Sequence, residues 1–179
     1  MKHFIVLNII FYLQSNIELY NFNSDSKNHW QIVDDRVMGG ISKGRFTINE
    51  SNNGVFYGEV STDNNGGFSS VRTTEFNSNS FKQKKNKTRS ISRLKGDGKN
   101  YQFRVKSSNS DRHSYINEFE TNGKWQEVTI NFNNMFASFR GRKLGMGNYN
   151  GLELFELRFL IANKKNEDFK LEIDWIKVG

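Results

Sequence analysis

The sequence has no cysteine and no proline, and only three of its 179 residues are histidines. Without cysteine the protein has no disulfide, no thiolate nucleophile and no cysteine-based zinc site. Histidine is too scarce for a histidine-rich centre, so we predict no metal and no cofactor. Catalytic signatures are lacking too: residues 67–71 (GFSSV) are not a nucleophile elbow, and residues 96–99 (GDGK) lack the flanking residues of a P-loop. We therefore expect a binding protein and not an enzyme.

Acidic residues are missing from one segment. Residues 82–95 contain seven basic side chains and no acid, while the remaining 19 basic residues are balanced by 19 acidic ones. The net charge of +7 is therefore local, whereas a nucleic-acid-binding surface normally spreads its charge over a face. Apart from Leu94, only Phe81 and Ile91 are apolar in or beside this segment, so it lacks platforms on which bases stack. We expect a solvated loop and no specific nucleic-acid partner.

Long apolar runs are also absent. Residues 4–13 follow Lys2 and His3 as the apolar core of a signal peptide would, and they are too short to span a membrane. Residues 1–16 are therefore either a leader or a signal peptide, which leaves a cytoplasmic and an exported location both open. Residues 17–179 show no linker and no repeat, so we predict that they form one domain.

Apolar residues recur with a period of two, which is typical of strands with one buried face. The clear rows are 101–105, 128–132, 157–161 and 169–175, and earlier candidates are 17–22, 44–48, 55–60 and 67–76. Turns rich in Asn and Gly separate them, and no crossover helix for a parallel sheet is present. The pattern predicts an all-β sandwich of two antiparallel sheets. The side chains expected between the sheets are Phe103, Val105, Ile130, Phe159, Leu171 and Ile173.

Two adjacent acids, Asp34 and Asp35, precede the glycine-rich segment 36–40. Adjacent carboxylates on a strand point to opposite faces, so they would not act together as an acid and a base. In a loop they could bind a hard cation. The alternative, which we favour, is that they accept backbone hydrogen bonds in the glycine-rich turn.

Arginines near glycines supply the other candidate site residues. Arg72 ends the polar segment 63–72 (DNNGGFSSVR), where it could receive a carboxylate or sugar hydroxyls, or be an ordinary surface arginine of a hairpin. Arg140 and Arg142 flank Gly141 and suit a carboxylate, a phosphate or an acidic partner, unless the turn is simply solvated. We predict that four arginines converge on a ligand- or partner-binding site beside the acidic and amide-rich loops. The predicted site comprises Asp34, Asp35, Asn64, Asn65, Arg72, Arg104, Arg140 and Arg142.

In this order the motifs resemble those of the complex I intermediate-associated protein 30 family. The matching segments are 30–44 (WQIVDDRVMGGISKG), 64–72 (NNGGFSSVR), 94–104 (LKGDGKNYQFR), 139–142 (FRGR) and 160–175. The resemblance covers about residues 17–178 and implies a galactose-binding-like jelly roll. The sequence departs from the family at two places. Residues 82–93 are basic where the family has an apolar strand, which puts the edge of one sheet in doubt. Ala137 replaces a proline of the family.

The resemblance also implies a function. Mitochondrial members of the family are assembly chaperones for respiratory complex I, so the implied role is a non-enzymatic protein-assembly factor. The implied partner is a protein, such as a respiratory-complex subunit or an assembly intermediate. A carbohydrate-binding module of galactose-binding-like fold is the alternative, and its partner would be a carbohydrate.

Overall fold

The structure is a computed structural model that describes residues 16–74 and 87–179, except for the side chains of residues 24–26. Within these ranges it contains no α-helix, and four short 3₁₀ turns connect strands (Ser24–His29, Asp35–Met38, Asp63–Asn65 and Phe132–Asn134). The strands are β1 (Ile17–Asn21), β2 (Trp30–Asp34), β3 (Lys43–Ile48), β4 (Gly54–Val60), β5 (Ser69–Thr73), β6 (Arg89–Lys95), β7 (Asn100–Lys106), β8 (Ser114–Glu120), β9 (Trp125–Asn131), β10 (Phe136–Phe139), β11 (Arg142–Lys143), β12 (Glu156–Ile161) and β13 (Glu167–Val178). The all-β prediction is confirmed.

The strands pair into two antiparallel sheets. One sheet has six strands in the order β3-β4-β13-β6-β9, with β1 also paired to β13. The other has seven strands in the order β11-β10-β8-β7-β12-β5-β2. The long strand β13 accommodates both β4 and β1, because β4 pairs with its first part and β1 with its last residues. Within the described ranges no helix has the length and apolar character needed to cross a bilayer.

The hydrophobic core lies between the two sheets. All six side chains that the period-two rows place there are buried in one cluster, which confirms the prediction. Aromatic rings link the sheets: Trp30 packs against Phe46 of the other sheet with ring centroids 5.6 Å apart, and against Phe159 of its own sheet at 6.4 Å. Burial of each large apolar side chain contributes about 1.5–3 kcal/mol. This core fixes the orientation of both sheets and therefore of their outer faces.

The basic segment differs from the prediction of a solvated loop. Arg89–Lys95 form β6, which lies between β13 and β9, so the expected disturbance of a sheet edge is wrong as well. Ser90, Ser92 and Leu94 are buried, and the residues between them are only half-buried on the outer side. Because serines occupy two of the buried positions, the sequence of this strand lacks the alternation of apolar and polar residues by which a strand is usually recognised. Lys87, just before the strand, is buried too, and burial lowers its pKa.

Several predicted segments lie outside the described residues. These are the leader at 1–15, the end of the predicted strand 67–76, and the basic residues at 82–86.

Candidate functional site

The fully buried carboxylate of Asp35 anchors the glycine-rich loop. It accepts hydrogen bonds from the backbone N–H groups of Ser42 (3.1 Å), Gly67 (2.7 Å) and Phe68 (3.2 Å), and from the Ser42 hydroxyl (2.5 Å). Burial raises the pKa of Asp35, but these hydrogen bonds together outweigh burial and hold the pKa below its usual range. A Cβ atom at Gly40 would collide with the carboxylate, so the loop packs tightly against it. Asp35 thus joins the loop to the segment that leads into β5.

Asp34 makes contacts of the same kind. Its carboxylate accepts hydrogen bonds from the Gly44 N–H (3.0 Å) and the Ser69 hydroxyl (2.6 Å). Both acids therefore accept hydrogen bonds around a glycine-rich turn, which is the interpretation that we favoured. In the described part of the chain no group of three or more His, Asp or Glu side chains is arranged to hold a metal ion.

Asn64 and Asn65 lie in the 3₁₀ turn that precedes β5. Both are exposed, and both have a left-handed backbone, with φ values of 54° and 60°. Because Asp34 pairs with Ser69 at the start of β5, this turn lies at the same end of the sheet as the two acids. The structure therefore does bring the four predicted acid and amide residues to one end of the sandwich.

The outward side of the seven-stranded sheet, called the polar face below, carries three arginines in one row. Arg72 on β5 pairs directly with Arg158 on β12, and Arg158 pairs with Arg104 on β7. Directly paired residues in antiparallel strands share a face, about 5 Å apart. The core residues Phe103 and Phe159 neighbour them in sequence, so the arginines point away from the core. We call Arg72, Arg104 and Arg158 the arginine row.

One buried carboxylate serves two members of the row. Glu156, which is 3% exposed, accepts hydrogen bonds from Arg72 Nη1 (2.9 Å) and Arg158 Nε (3.0 Å), and its ion pair with Arg158 also brings Nη2 within 2.9 Å. Arg72 also donates to the Gln31 side chain (3.0 Å), and Arg158 to the Ser70 hydroxyl (3.5 Å). The Nε atom of Arg72 is buried without an acceptor. A single negative charge is therefore shared between two cations.

Arg104 makes no ion pair with a carboxylate in the described part of the chain. Its Nε and Nη2 atoms both donate to the Gln102 side-chain oxygen, at 2.9 and 2.5 Å, and the Gln102 amide donates to Glu118 (2.8 Å). Burial, followed by the positive charge of Arg158, lowers the pKa of Arg104 to about 10, while Glu118 opposes this shift. Arg104 is still charged at neutral pH. The arginine row thus holds three positive charges beside one buried carboxylate.

Arg140 and Arg142 lie elsewhere, and the predicted convergence of four arginines is wrong for these two. Both are exposed: Arg140 is in the turn between β10 and β11, and Arg142 is on the edge strand β11, three strands beyond the strand of Arg104. At about 4.8 Å per strand, this places Arg142 at least roughly 14 Å from Arg104. Arg140 lies over the Phe139 ring, 5.4 Å from its centroid.

The ends of the sheet separate the predicted residues further. Asp34 pairs with Ser69 at one end, whereas β10 pairs with β8 through Ser138 and Ser114 at the other. The acidic and amide-rich loops therefore do not share an end with the Arg140 turn. The structure joins Arg72 and Arg104, and it does so through Arg158, which sequence reasoning missed. The sequence does contain a signal for the orientation of Arg158. Leu157, Phe159 and Ile161 are predicted to face the core, so Arg158, which lies between them in the period-two row, must face outward.

A second surface consists of exposed apolar side chains in the loop that Asp35 anchors. Val37 is 75% exposed, Met38 58% and Ile41 45%. These three large apolar side chains within five residues form an exposed apolar patch, and such patches often contact other proteins.

Two packed antiparallel sheets with these connections define a galactose-binding-like β-sandwich with a polar outer face. The fold is similar to that of a family 11 carbohydrate-binding module from Clostridium thermocellum, solved with a β-1,3-1,4-mixed-linked tetrasaccharide (TM-score 0.64, 13% identity, covering 91% of this chain and 95% of the other). The family 11 module of the cellulosomal cellulase Lic26A-Cel5E from the same organism is also similar (TM-score 0.59, 15% identity, 84% and 86% covered). A family 29 carbohydrate-binding module shares the architecture as well (TM-score 0.51, 9% identity, 92% and 88% covered). At these identities the similarity concerns the fold alone.

The family of the protein follows from a comparison of its sequence with models of known families. The family model for complex I intermediate-associated protein 30 (CIA30) matches residues 20–173, which is most of the chain. The protein belongs to the CIA30 family, as its ordered motifs predict. No curated protein matches the chain significantly.

Proposed function

We propose that this protein is a non-enzymatic protein-assembly factor or chaperone of the complex I intermediate-associated type, which holds its partner on the polar face. The observation that carries the proposal is the arginine row, with three cations beside one buried carboxylate. A rigid sheet that presents incompletely neutralised guanidinium groups is suited to binding an oppositely charged surface. Family membership supports a respiratory-complex subunit or an assembly intermediate as the partner.

Two further features support a protein as the partner. Arginine is enriched in protein interfaces, where its planar donors bind partner groups at low entropic cost. The exposed Val37, Met38 and Ile41 offer apolar contact area on a loop that the Asp35 hydrogen bonds hold in place. A charged face and an apolar loop on one rigid body suit a protein surface that is itself mixed in character.

The contacts of the acids and histidines support a role without catalysis. The buried carboxylates of Asp35 and Glu156 are occupied by structural hydrogen bonds. His29 contacts the Tyr20 hydroxyl (3.2 Å), and His113 packs edge-on against the Tyr115 ring. Among the described hydrogen bonds, neither histidine contacts a carboxylate or a serine or threonine hydroxyl, as the histidine of a catalytic triad does.

Carbohydrate binding is the second candidate, and the similarity in fold to modules that bind sugars favours it. Sugar rings pack well on the flat faces of exposed aromatic side chains, which supply much of the contact in such sites. Among the outward-facing residues of the described strands β2, β5, β12, β7 and β8, none is aromatic. Phe136 on β10 continues the row, but Lys143 lies over its ring at 5.1 Å. The polar face therefore favours a protein over a neutral sugar.

Affinity capture from the native organism tests the proposal. Tagged protein is crosslinked in cells, and the recovered proteins are identified by mass spectrometry for the original chain, Arg104→Glu and Arg45→Glu. Arg45 is the matched control, since it is an exposed arginine on β3 in the other sheet. We expect the original chain and Arg45→Glu to recover the same respiratory-complex proteins, and Arg104→Glu to lose them.

A carbohydrate arm separates the two candidates. Mobility in gels that contain mixed-linked β-glucan is measured for the same three proteins. Retardation by the glucan without enrichment of any protein partner would favour the carbohydrate-binding module. Equal recovery of partners by Arg104→Glu and the original chain would show that the polar face is not the binding surface.

A further inference from the structure

The outward residues of the three central strands β5, β12 and β7 have an excess of positive charge. They include the arginine row and Lys106, whereas Glu156 is the one acid among the described members of this group. Lys106 adds to the excess, since its Nζ atom donates to the backbone oxygen of Asp111 (2.9 Å) and not to a described carboxylate. A further acid, Glu118 on the neighbouring strand β8, is hydrogen-bonded to Gln102.

Arg104 is the least compensated member of this group. It lies half-buried beside Arg158, and its hydrogen bonds all go to one neutral oxygen, that of Gln102. Burial of a charge beside a like charge opposes folding, and a neutral side chain of similar length would avoid this cost. Such an arrangement is typical of sites whose missing counter-charge comes from a ligand.

The donors of the row point to the chemistry of that ligand. The Nη1 atom of Arg104 has no acceptor among the described residues, while its Nε and Nη2 donate to the same oxygen. The planar fork of an arginine matches the two oxygens of a carboxylate, with which it forms short, charge-assisted hydrogen bonds. A carboxylate placed over Arg104 would also lie close to Arg158, about one strand spacing away.

We propose that the arginine row is a carboxylate-binding site, and that it binds the side chains of an acidic segment in the partner protein. This inference rests on the proposed function and adds the chemistry by which the partner is recognised. A protein segment fits better than an acidic polysaccharide, because the described central strands offer no outward aromatic ring on which a sugar could stack. The apolar loop of Val37, Met38 and Ile41 also suits a polypeptide.

Titration of the protein with hexaglutamate tests the inference, with hexaglutamine as the neutral control peptide. The Nε–Hε signals of ¹⁵N-labelled arginines report which guanidinium groups respond. We expect saturable shifts of the Arg104 and Arg158 signals with hexaglutamate and none with hexaglutamine. In Arg104→Gln the affinity should fall about tenfold or more, which is about 1.4 kcal/mol, and in Arg45→Gln it should stay unchanged. Added salt should weaken binding, since part of the site is exposed.

Three results would overturn the inference: equal binding of both peptides, unchanged affinity in Arg104→Gln, or tighter binding of an oligogalacturonate than of hexaglutamate. The last result would identify an acidic polysaccharide as the ligand. Failure of the inference is distinguishable from failure of the proposed function. If partner capture depends on Arg104 but hexaglutamate does not bind, the carboxylate inference is wrong and the assembly role stands. If hexaglutamate binds and no partner is captured, the assembly role is wrong.

Discussion

Replacement of Asp35 by asparagine tests whether the glycine-rich loop is held by a buried charge. In the native protein one carboxylate oxygen accepts three hydrogen bonds, from the Ser42 hydroxyl and the N–H groups of Gly67 and Phe68. The other oxygen accepts the Ser42 N–H. An asparagine side chain has one oxygen and one NH₂ group. In its best orientation the oxygen takes the place of the carboxylate oxygen with three partners, so that these three hydrogen bonds go to a neutral acceptor. The NH₂ group then faces the Ser42 N–H, which loses its acceptor.

The expected cost follows from these contacts. An unsatisfied buried N–H costs about 1–3 kcal/mol, and a hydrogen bond to a neutral acceptor is weaker than one to a charged acceptor by roughly 1 kcal/mol. With three weakened bonds and one unsatisfied N–H, we therefore expect Asp35→Asn to lower the free energy of unfolding by about 4–6 kcal/mol. For a domain of this size this corresponds to a fall in Tm of about 15 °C.

The pH dependence gives an independent check. Hydrogen bonds hold the pKa of Asp35 below its usual range, so its stabilising contribution is complete above the pKa of the unfolded chain, about 4. It is lost as the pH falls through the lower pKa of the folded state. The difference in unfolding free energy between the native protein and Asp35→Asn should therefore be constant near neutral pH and shrink below about pH 4.

Urea unfolding at a series of pH values measures both effects. The control is Asp63→Asn, which removes the same charge from an exposed position near the same loop and should change stability by less than about 0.5 kcal/mol. A cost below about 1 kcal/mol for Asp35→Asn, or a difference that stays constant through acid pH, would show that the carboxylate does not hold the loop.

Three further changes test other parts of the structure. Phe103→Ala in the core should cost about 3–5 kcal/mol in urea unfolding, whereas Phe155→Ala, at a 45% exposed position, should cost far less; equal costs would contradict the assigned core. Gly66→Ala should lower Tm because its Cβ would lie 2.6 Å from the Ser61 oxygen and 2.7 Å from Asp35 Oδ2, while Gly145→Ala, with open space around it, should be neutral. Arg104→Gln should leave Tm unchanged or raise it, since it removes an uncompensated charge; a fall of several degrees would mean that the guanidinium group is structural.

The inward-facing half of the structure is largely readable from the sequence. Phe103, Ile130 and Leu171 each stand in a period-two row, and each is buried where the row predicts. Ser90 and Ser92 show the limit of this method, because small polar residues occupy core positions of β6 and break the apolar pattern. The burial of these serines depends on the neighbouring strands β13 and β9, which no local pattern reveals.

The arginine row shows why a site is harder to predict than a core. Periodicity places Arg72, Arg104 and Arg158 on outward faces, but it does not say which strands are neighbours. The row exists because β12 lies between β5 and β7, and β5 and β12 are more than 80 residues apart in sequence. Proximity to glycine, which suggested Arg140 and Arg142, marks a tight turn and carries no information about the distance to the row.

Site-specific photocrosslinking tests the central claim, that the polar face holds the partner. A photoreactive phenylalanine analogue is placed at Glu118, which is exposed on β8 of the polar face, or at Thr129, which is exposed on β9 of the other sheet. After irradiation in the native organism, crosslinked proteins are identified by mass spectrometry. We predict that position 118 crosslinks to a respiratory-complex subunit or assembly intermediate and that position 129 does not. Crosslinking of such a partner from position 129 alone, or equally from both positions, would contradict the account.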